Sequence, residues 1–360
     1  MSAEFASELL QWFDKTAAQL PWRTVRPDPY HVWLSEVMLQ QTQVETVIPY
    51  YKRFLKSYPT IYELAHANLD EILKQWEGLG YYSRARHLHK TAQIIVQQLD
   101  GQFPQTAADL QKLPGIGRYT AGAIASIAFG EAAPVLDGNV IRVFTRLLDL
   151  ADDITQTSTK KYLWQIAADW IPTQRPGDYN QALMELGQKV CTPHNPTCGS
   201  CPIQQYCQSY ANGTQAERPI KRKKAPIPHY DVAAGIIKRD DGKILIAQRP
   251  HEKLLGGLWE FPGGKQETGE TLPDTLRREL KEELMIDVAV GDLFVSVKHA
   301  FTHFKITLHA FECRIISGEP QTLEAAAIAW VYLDEMKQYA FGKADRQIID
   351  ALYKRHNMLF

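Results

Sequence analysis

Four cysteines crowd one short window: Cys191, Cys198, Cys201 and Cys207 follow the spacing C-x6-C-x2-C-x5-C. Thiolate ligands this close in sequence can complete a metal site without help from the rest of the chain. The pattern argues for a metal centre rather than a disulfide framework. Cys313 stands alone and reads as a small strand residue. A second stretch with chemical potential runs from Leu113 to Arg142, LPGIGRYTAGAIASIAFGEAAPVLDGNVIR. After Leu113, the glycines Gly115 and Gly117 can take positive φ and turn successive backbone N–H groups to one side. The small-residue helix expected from Thr120 to Ala128 opens its own free N–H groups out of that turn. Such a hairpin can hold a backbone phosphate, although a plain tight turn between packed helices fits the glycines as well. Asp137 then sits at the start of the next helix, where it can act as an N-cap and as a carboxylate held ionised by local N–H groups. A third group, Glu279, Glu282 and Glu283, lies at i, i+3 and i+4. One helix face would present three carboxylates to a hard cation, or pair them with Arg278 on an exposed charged surface.

These groups need a scaffold, and 360 residues are enough for two domains with separate cores. A hydrophobic content of 45% with 22% charged residues is that of ordinary globular protein. The net charge of −1 gives no general attraction to nucleic acid, so any such field must come from local patches. No apolar run approaches the ~20 residues of a membrane span. The first twenty residues set Phe5, Leu9, Leu10, Trp12 and Phe13 among Glu4, Glu8 and Asp14. That is an amphipathic helix bearing acids, unlike a signal or transit peptide, so a cytoplasmic protein of bacterial type is expected.

The first part of the chain, residues 1–216, reads as all-α. Helical periodicity runs through 32–51, 69–76, 85–99, 121–129, 140–148 and 162–170, punctuated at Pro59, Gly78–Gly80, Asp100-Gly101, Pro134 and Pro172–Pro176. A basic, proline-containing linker follows over 217–229, able to lie along phosphates or simply to be solvated. From 230 to 360 the period changes. Residues 232–237 and 243–248 alternate as strands around an Asp241-Gly242 hairpin turn, and 305–313 alternates again. Helices are expected near 272–284 and 345–354. The second domain is therefore α+β.

The hairpin and the aspartate behind it resemble the helix-hairpin-helix glycosylase superfamily. Together with WLSEVMLQQT (Trp33 to Thr42), GLGYY (Gly78 to Tyr82) and the four cysteines, they resemble the MutY-type adenine-DNA glycosylases across nearly the whole chain. That resemblance implies a fold of two parts: an all-α helix-hairpin-helix DNA glycosylase domain with an iron–sulfur subdomain, followed by an α+β Nudix-like domain. In the first part a six-helix barrel would span about 22–137, with the cluster-bearing subdomain made from 1–21 plus 138–216. Zinc is the alternative to a 4Fe–4S cluster, but structural zinc sites usually use two C-x2-C or His-containing pairs and only one is present. His194 would lie near the DNA backbone.

Read coldly, Glu36 with Gln40 and Gln43 is a solvated helix face. By resemblance it is the general acid that protonates the five-membered ring of a flipped adenine. Breaking an N-glycosidic bond needs an acid for the leaving base and an anion for the electron-deficient sugar. Enclosure by Trp22 and Leu39 would keep Glu36 protonated. Asp137 would supply the anion, with Asn139 beside it in the catalytic set. Tyr119 stands where strand-nicking relatives carry a Schiff-base lysine, which implies a monofunctional enzyme rather than a bifunctional glycosylase/lyase. Gln41 and Tyr81 would wedge into the duplex beside the target pair. Trp22, Arg23 and Gln181 match adenine-pocket positions.

In the second domain, residues 264–286 resemble the Nudix box, with Glu270, Glu279, Glu282 and Glu283 retained and Met285 where the box has glycine. In MutY-type proteins this domain senses 8-oxoguanine opposite the adenine. The contact loop is here Phe301-Thr302-His303, with threonine in place of serine. The retained acids leave a nucleotide pyrophosphohydrolase activity as another reading. The expected partner is double-stranded DNA carrying A opposite 8-oxoguanine or G, bound by a monomer.

Overall fold

The computed structural model describes residues 3–222 and 226–357, so Lys223, Lys224 and Ala225 of the expected linker lie outside the described residues. Two compact units are formed: Met1–His66 with His87–Lys224, and Ala67–Arg86 with Ala225–Phe360. The sequence reading groups residues 67–86 with the helical domain; their contacts group them with the second unit.

The helices before the linker are α1 (Ala3–Thr16), α2 (Pro29–Leu39), α3 (Val44–Ser57), α4 (Ile61–His66), α5 (Leu69–Trp76), α6 (Ser83–Gln98), α7 (Ala107–Leu110), α8 (Arg118–Phe129), α9 (Gly138–Leu147), α10 (Thr157–Trp170), α11 (Pro176–Lys189) and α12 (Gln208–Asn212). Of these, α5 belongs to the second unit. The apolar face of α1 is buried: Phe5, Leu9 and Phe13 pack with Val143 and Phe144 of α9, Leu163 of α10 and Leu183 of α11. Each such side chain contributes about 1.5–3 kcal/mol of transfer free energy. Cys201 and Cys207 border the same core, which ties the cysteine loop to both ends of this unit.

Two departures from the periodicity position the site. The expected helical run 32–51 is interrupted: α2 ends at Leu39, α3 begins at Val44, and Gln41 between them takes φ 57°. A polar QQTQ run has no apolar face to bury and breaks the pattern there. Helix α11 was not legible as a helix. Its glycines weaken the signal, yet Gly187 serves close packing, since a Cβ there would come within 2.6 Å of the Asn139 Cβ on α9.

In the second unit β1 (His229–Ile237), β2 (Ile244–Gln248), β3 (Trp259–Glu260), β4 (Gly263–Lys265), α13 (Leu272–Leu284), β5 (Asp287–Ala300), β6 (Lys305–Ser317), β7 (Ala327–Val331) and α14 (Lys343–Asn357) form two sheets, ordered β4-β1-β6-β5 and β3-β2-β7. The first two strands do not form the simple hairpin expected around Asp241-Gly242. Beyond the single bridge Lys238 to Ile244 they diverge, β1 pairing in parallel with β6 and β2 pairing with β3 and β7. The reason is burial of β1 on both faces. Ala234 and Ile236 pack towards Ile348 and Ile349 of α14, while Ala233 and Ile237 pack towards Leu276 and Leu280 of α13. Among the described residues no helix is long and apolar enough to cross a membrane.

Candidate active site

In the first unit a cavity of about 770 Å³ is lined by Trp22, Arg23, Glu36, Leu39, Gln41, Tyr119, Asp137, Asn139, Gln181, Met184 and Glu185, among others. Residues from four helices and two loops thus converge, although they lie far apart in sequence. Glu36 comes from α2, an apolar helix buried along most of its length. It is only 6% exposed. Burial pushes its pKa up to about 7, the neighbouring Asp137 charge adds to the rise, and a hydrogen bond from Tyr119 opposes it. The Tyr119 hydroxyl donates to Glu36 Oε2 at 2.8 Å, and its own pKa is driven well above the usual phenol value by burial and by the two carboxylates.

Asp137 is the N-cap of α9, accepting from Val140 N at 2.7 Å, while Asn139 Nδ2 donates to its other oxygen at 2.8 Å. These bonds favour the anion, yet burial outweighs them and the pKa is raised from the ordinary aspartate value. The local N–H groups expected to hold this carboxylate ionised are in place, and burial opposes them with the larger effect. Sequence reasoning missed Arg142. It donates to Asn139 Oδ1 at 2.9 Å, to Gly187 O at 2.7 Å and to Cys191 O at 2.7 Å, joining the aspartate's partner to the cysteine loop. Its i+3 spacing from Asn139 was the local signal.

Trp22 is buried edge-on against Tyr51 at 5.2 Å. Arg23 Nε donates to Gln181 Oε1 at 2.9 Å, so the two residues expected at the base pocket do meet. Gln41 is exposed on the α2–α3 loop at the cavity rim. In the hairpin, Leu113 is buried and Gly115 takes φ 74°, with the side chain of His87 leaving no room for a Cβ. Gly117 differs from expectation. It has φ −83°, caps α8 without a side-chain hydrogen bond, and has open space where a Cβ would stand. The free N–H groups at that helix start can receive an anion.

The four cysteines are unpaired and partly buried. Burial raises Cys201 to about 12 and also raises Cys198 and Cys207, each sensing the charge of its neighbours. Arg146, buried beside them, donates to Cys191 Sγ at 3.3 Å and to Thr192 O at 2.7 Å. Among the described residues no three His, Cys, Asp or Glu side chains are gathered tightly enough for a single metal ion. Four thiols in one short loop, one of them accepting from a guanidinium, are a donor set of the kind that thiolate-bound metal groups use. His194 is exposed in the loop between the first two cysteines.

In the second unit Tyr81 is exposed, takes φ 50°, and its hydroxyl lies 3.0 Å from Thr302 Oγ1. Thr302 and His303 form the exposed tip between β5 and β6, held by Phe301 N donating to Phe304 O at 2.8 Å and by stacking of those two rings at 4.6 Å. On α13 the acids are engaged by Arg278. It bonds Glu270 Oε1 at 2.6 Å, Glu279 at 2.9 Å and Glu282 at 3.2 Å, and this holds Glu270 down to about 2. Glu283 is pushed up to about 7 by burial. Met285 adopts the left-handed conformation (φ 61°) that a glycine would take without cost, so the helix ends as it would with glycine.

Comparison with known proteins matches residues 34–169 to the HhH-GPD superfamily of base excision DNA repair proteins and residues 233–351 to the NUDIX domain. Adenine DNA glycosylase of Rattus norvegicus is 36% identical, covering 98% of this chain and 78% of the relative. That of Homo sapiens is 37% identical over 96% and 73% respectively. The chain belongs to the adenine DNA glycosylase family. It is a DNA glycosylase of base excision repair, hydrolysing N-glycosyl bonds, and carries a helical HhH-GPD domain followed by a NUDIX domain. A thermostable thymine-DNA glycosylase of known structure superposes with a TM-score of 0.52 at 28% identity, covering 58% of this chain and 96% of that one.

Proposed function

We propose that this glycosylase removes adenine paired with 8-oxoguanine or guanine, by flipping the base and hydrolysing its bond to the sugar without cutting the strand. The observation that carries the reading is the pair of unlike carboxylates on one cavity. Glu36 is buried with its pKa pushed up to about 7, whereas Asp137, also raised by burial, is held by two donors that favour its anion. Glu36 transfers its proton to the five-membered ring of adenine as the C1′–N9 bond breaks, and the bonding electrons stay with the base. The Asp137 carboxylate stabilises the resulting oxocarbenium-like sugar. Water then adds to C1′ and its proton returns to Glu36. Tyr119 has no amine for a Schiff base, which supports a product with an abasic site and an intact strand.

Trp22, Arg23 and Gln181 form the base pocket in this reading, Gln41 and Tyr81 fill the space left by the flipped base, and the 113–117 hairpin takes a phosphate. The Phe301-Thr302-His303 tip reads the opposite base. Cys191, Cys198, Cys201 and Cys207 would hold a 4Fe–4S cluster, which when bound ties the loop to the core beside α1 and α9. Single-turnover adenine release from duplexes with A opposite 8-oxoguanine, G or T tests the proposal. Fast release opposite 8-oxoguanine, lost in Glu36→Gln, supports it. No release from any duplex by folded protein overturns it.

A further inference from the structure

One buried charge on the cavity has no part in the bond-breaking step. Glu185 of α11 is only 3% exposed and lines the cavity wall. A buried carboxylate is costly unless its oxygens are matched by donors, and here they are matched on both sides. Oε2 accepts from Arg23 Nη1 at 2.6 Å; Oε1 accepts from Ala18 N at 2.9 Å and from Lys189. Arg23 Nη1 also donates to Ala18 O at 3.0 Å, and its Nε donates to Gln181 Oε1 at 2.9 Å.

We propose that Glu185 is a positioning residue for base selection: by fixing Arg23 it sets which way round the Gln181 carboxamide faces the base. The inference rests on the adenine-pocket reading above. A guanidinium only donates, so the Gln181 atom beside Arg23 Nε must be the oxygen. That turns Gln181 Nε2 towards Gly177 O, 3.3 Å away. Both residues line the cavity, so its wall can offer a donor, the remaining Arg23 amino group, beside an acceptor, the second lone pair of Gln181 Oε1. A 6-aminopurine presents the complement, a ring-nitrogen acceptor beside an amino donor. A 6-oxopurine would set its carbonyl oxygen against Oε1.

The test compares single-turnover release of adenine, purine (no 6-substituent) and hypoxanthine opposite 8-oxoguanine by wild type, Glu185→Gln and Gln181→Ala. Glu185→Gln is expected to slow adenine release about 10- to 100-fold, from loss of alignment by one charge-assisted bond. Purine and hypoxanthine release should change less than about threefold, with duplex Kd unchanged. In the Gln181→Ala background Glu185→Gln should add little. Equal slowing of all three bases, or additive effects in the double variant, would mean a general structural role and overturn the inference while leaving the adenine reading intact. Failure of wild type to release adenine would overturn both. Should Glu185→Gln not fold, Glu185→Asp keeps the charge but shortens the reach to Arg23, and the same adenine-selective loss is required of it.

Discussion

The hydroxyl of Tyr119 donates a 2.8 Å hydrogen bond to Glu36 Oε2, across 83 residues of sequence. This bond favours the carboxylate anion and so pulls the Glu36 pKa down against the larger effect of burial. Tyr119→Phe removes the opposing influence and must raise that pKa. A general acid is active while protonated, so release rate falls as pH passes its pKa. The alkaline limb of the single-turnover pH profile should therefore move upward by roughly 0.5–1 unit, the equivalent of one hydrogen bond. A downward shift would show that Tyr119 stabilises the protonated acid instead.

Glu36 also makes stability depend on pH. Its pKa rises from 4.5 to about 7 in the folded chain. The stability associated with the protonated acid is fully present below 4.5 and is lost as pH rises through about 7. Glu36→Gln cannot ionise and escapes this loss. It should melt near wild type at pH 4.5 and above it at pH 8, by roughly 2–4 kcal/mol. A difference in melting temperature that does not change with pH would show that Glu36 is not buried as an acid in solution.

Asn139 Nδ2 supports the Asp137 anion, and Arg142 holds Asn139 in place. Asn139→Ala removes a bond that lowers the Asp137 pKa. That pKa should rise, and the acid limb of the release profile, where Asp137 must ionise, should move to higher pH. The plateau rate should fall roughly 10- to 100-fold, the range for a hydrogen bond to a charged group. Arg142→Lys should reproduce part of the loss, because one ammonium cannot serve Asn139, Gly187 and Cys191 together. An unchanged acid limb in Asn139→Ala would show that the carboxamide does not act on Asp137.

How much could be read beforehand depends on how far each residue's partners lie along the chain. The apolar period of 140–148 and the acid just before it gave α9 and its cap, because both signals fit within one or two turns. The chemical state of Glu36 was not legible from its own helix. Its enclosure comes from residues of several elements brought together on folding and its hydrogen bond from Tyr119, whereas periodicity alone sets it on a solvated face. Glu185 and Arg142 were missed for the same reason: their roles lie in partners reached only on folding. Strand β5 was missed because it is largely exposed along much of its length and shifts register against β6, so no clean alternation survives. Segment 67–86 reads as helix and turn either way; its grouping follows from long-range bonds such as Arg346 Nη2 to Glu77 Oε1 at 2.5 Å.

Met285 ends α13 at φ 61° and ψ 26°, with its N–H donating to Leu280 O and Lys281 O. A side chain with a Cβ is strained there by about 1–2 kcal/mol, whereas glycine is not. Met285 is 46% exposed, so little packing is lost on truncation. Met285→Gly should therefore stabilise the last turn of α13 by about 0.5–1 kcal/mol after the extra entropy of glycine in the unfolded chain is offset. Amide hydrogen exchange at Leu284 and Met285 in the full chain should slow by roughly two- to fivefold if these amides open with the unit. Met285→Ala removes the same side chain but keeps the Cβ and should give no such gain. Equal protection in the alanine and glycine variants would locate the effect in the lost thioether rather than in the backbone.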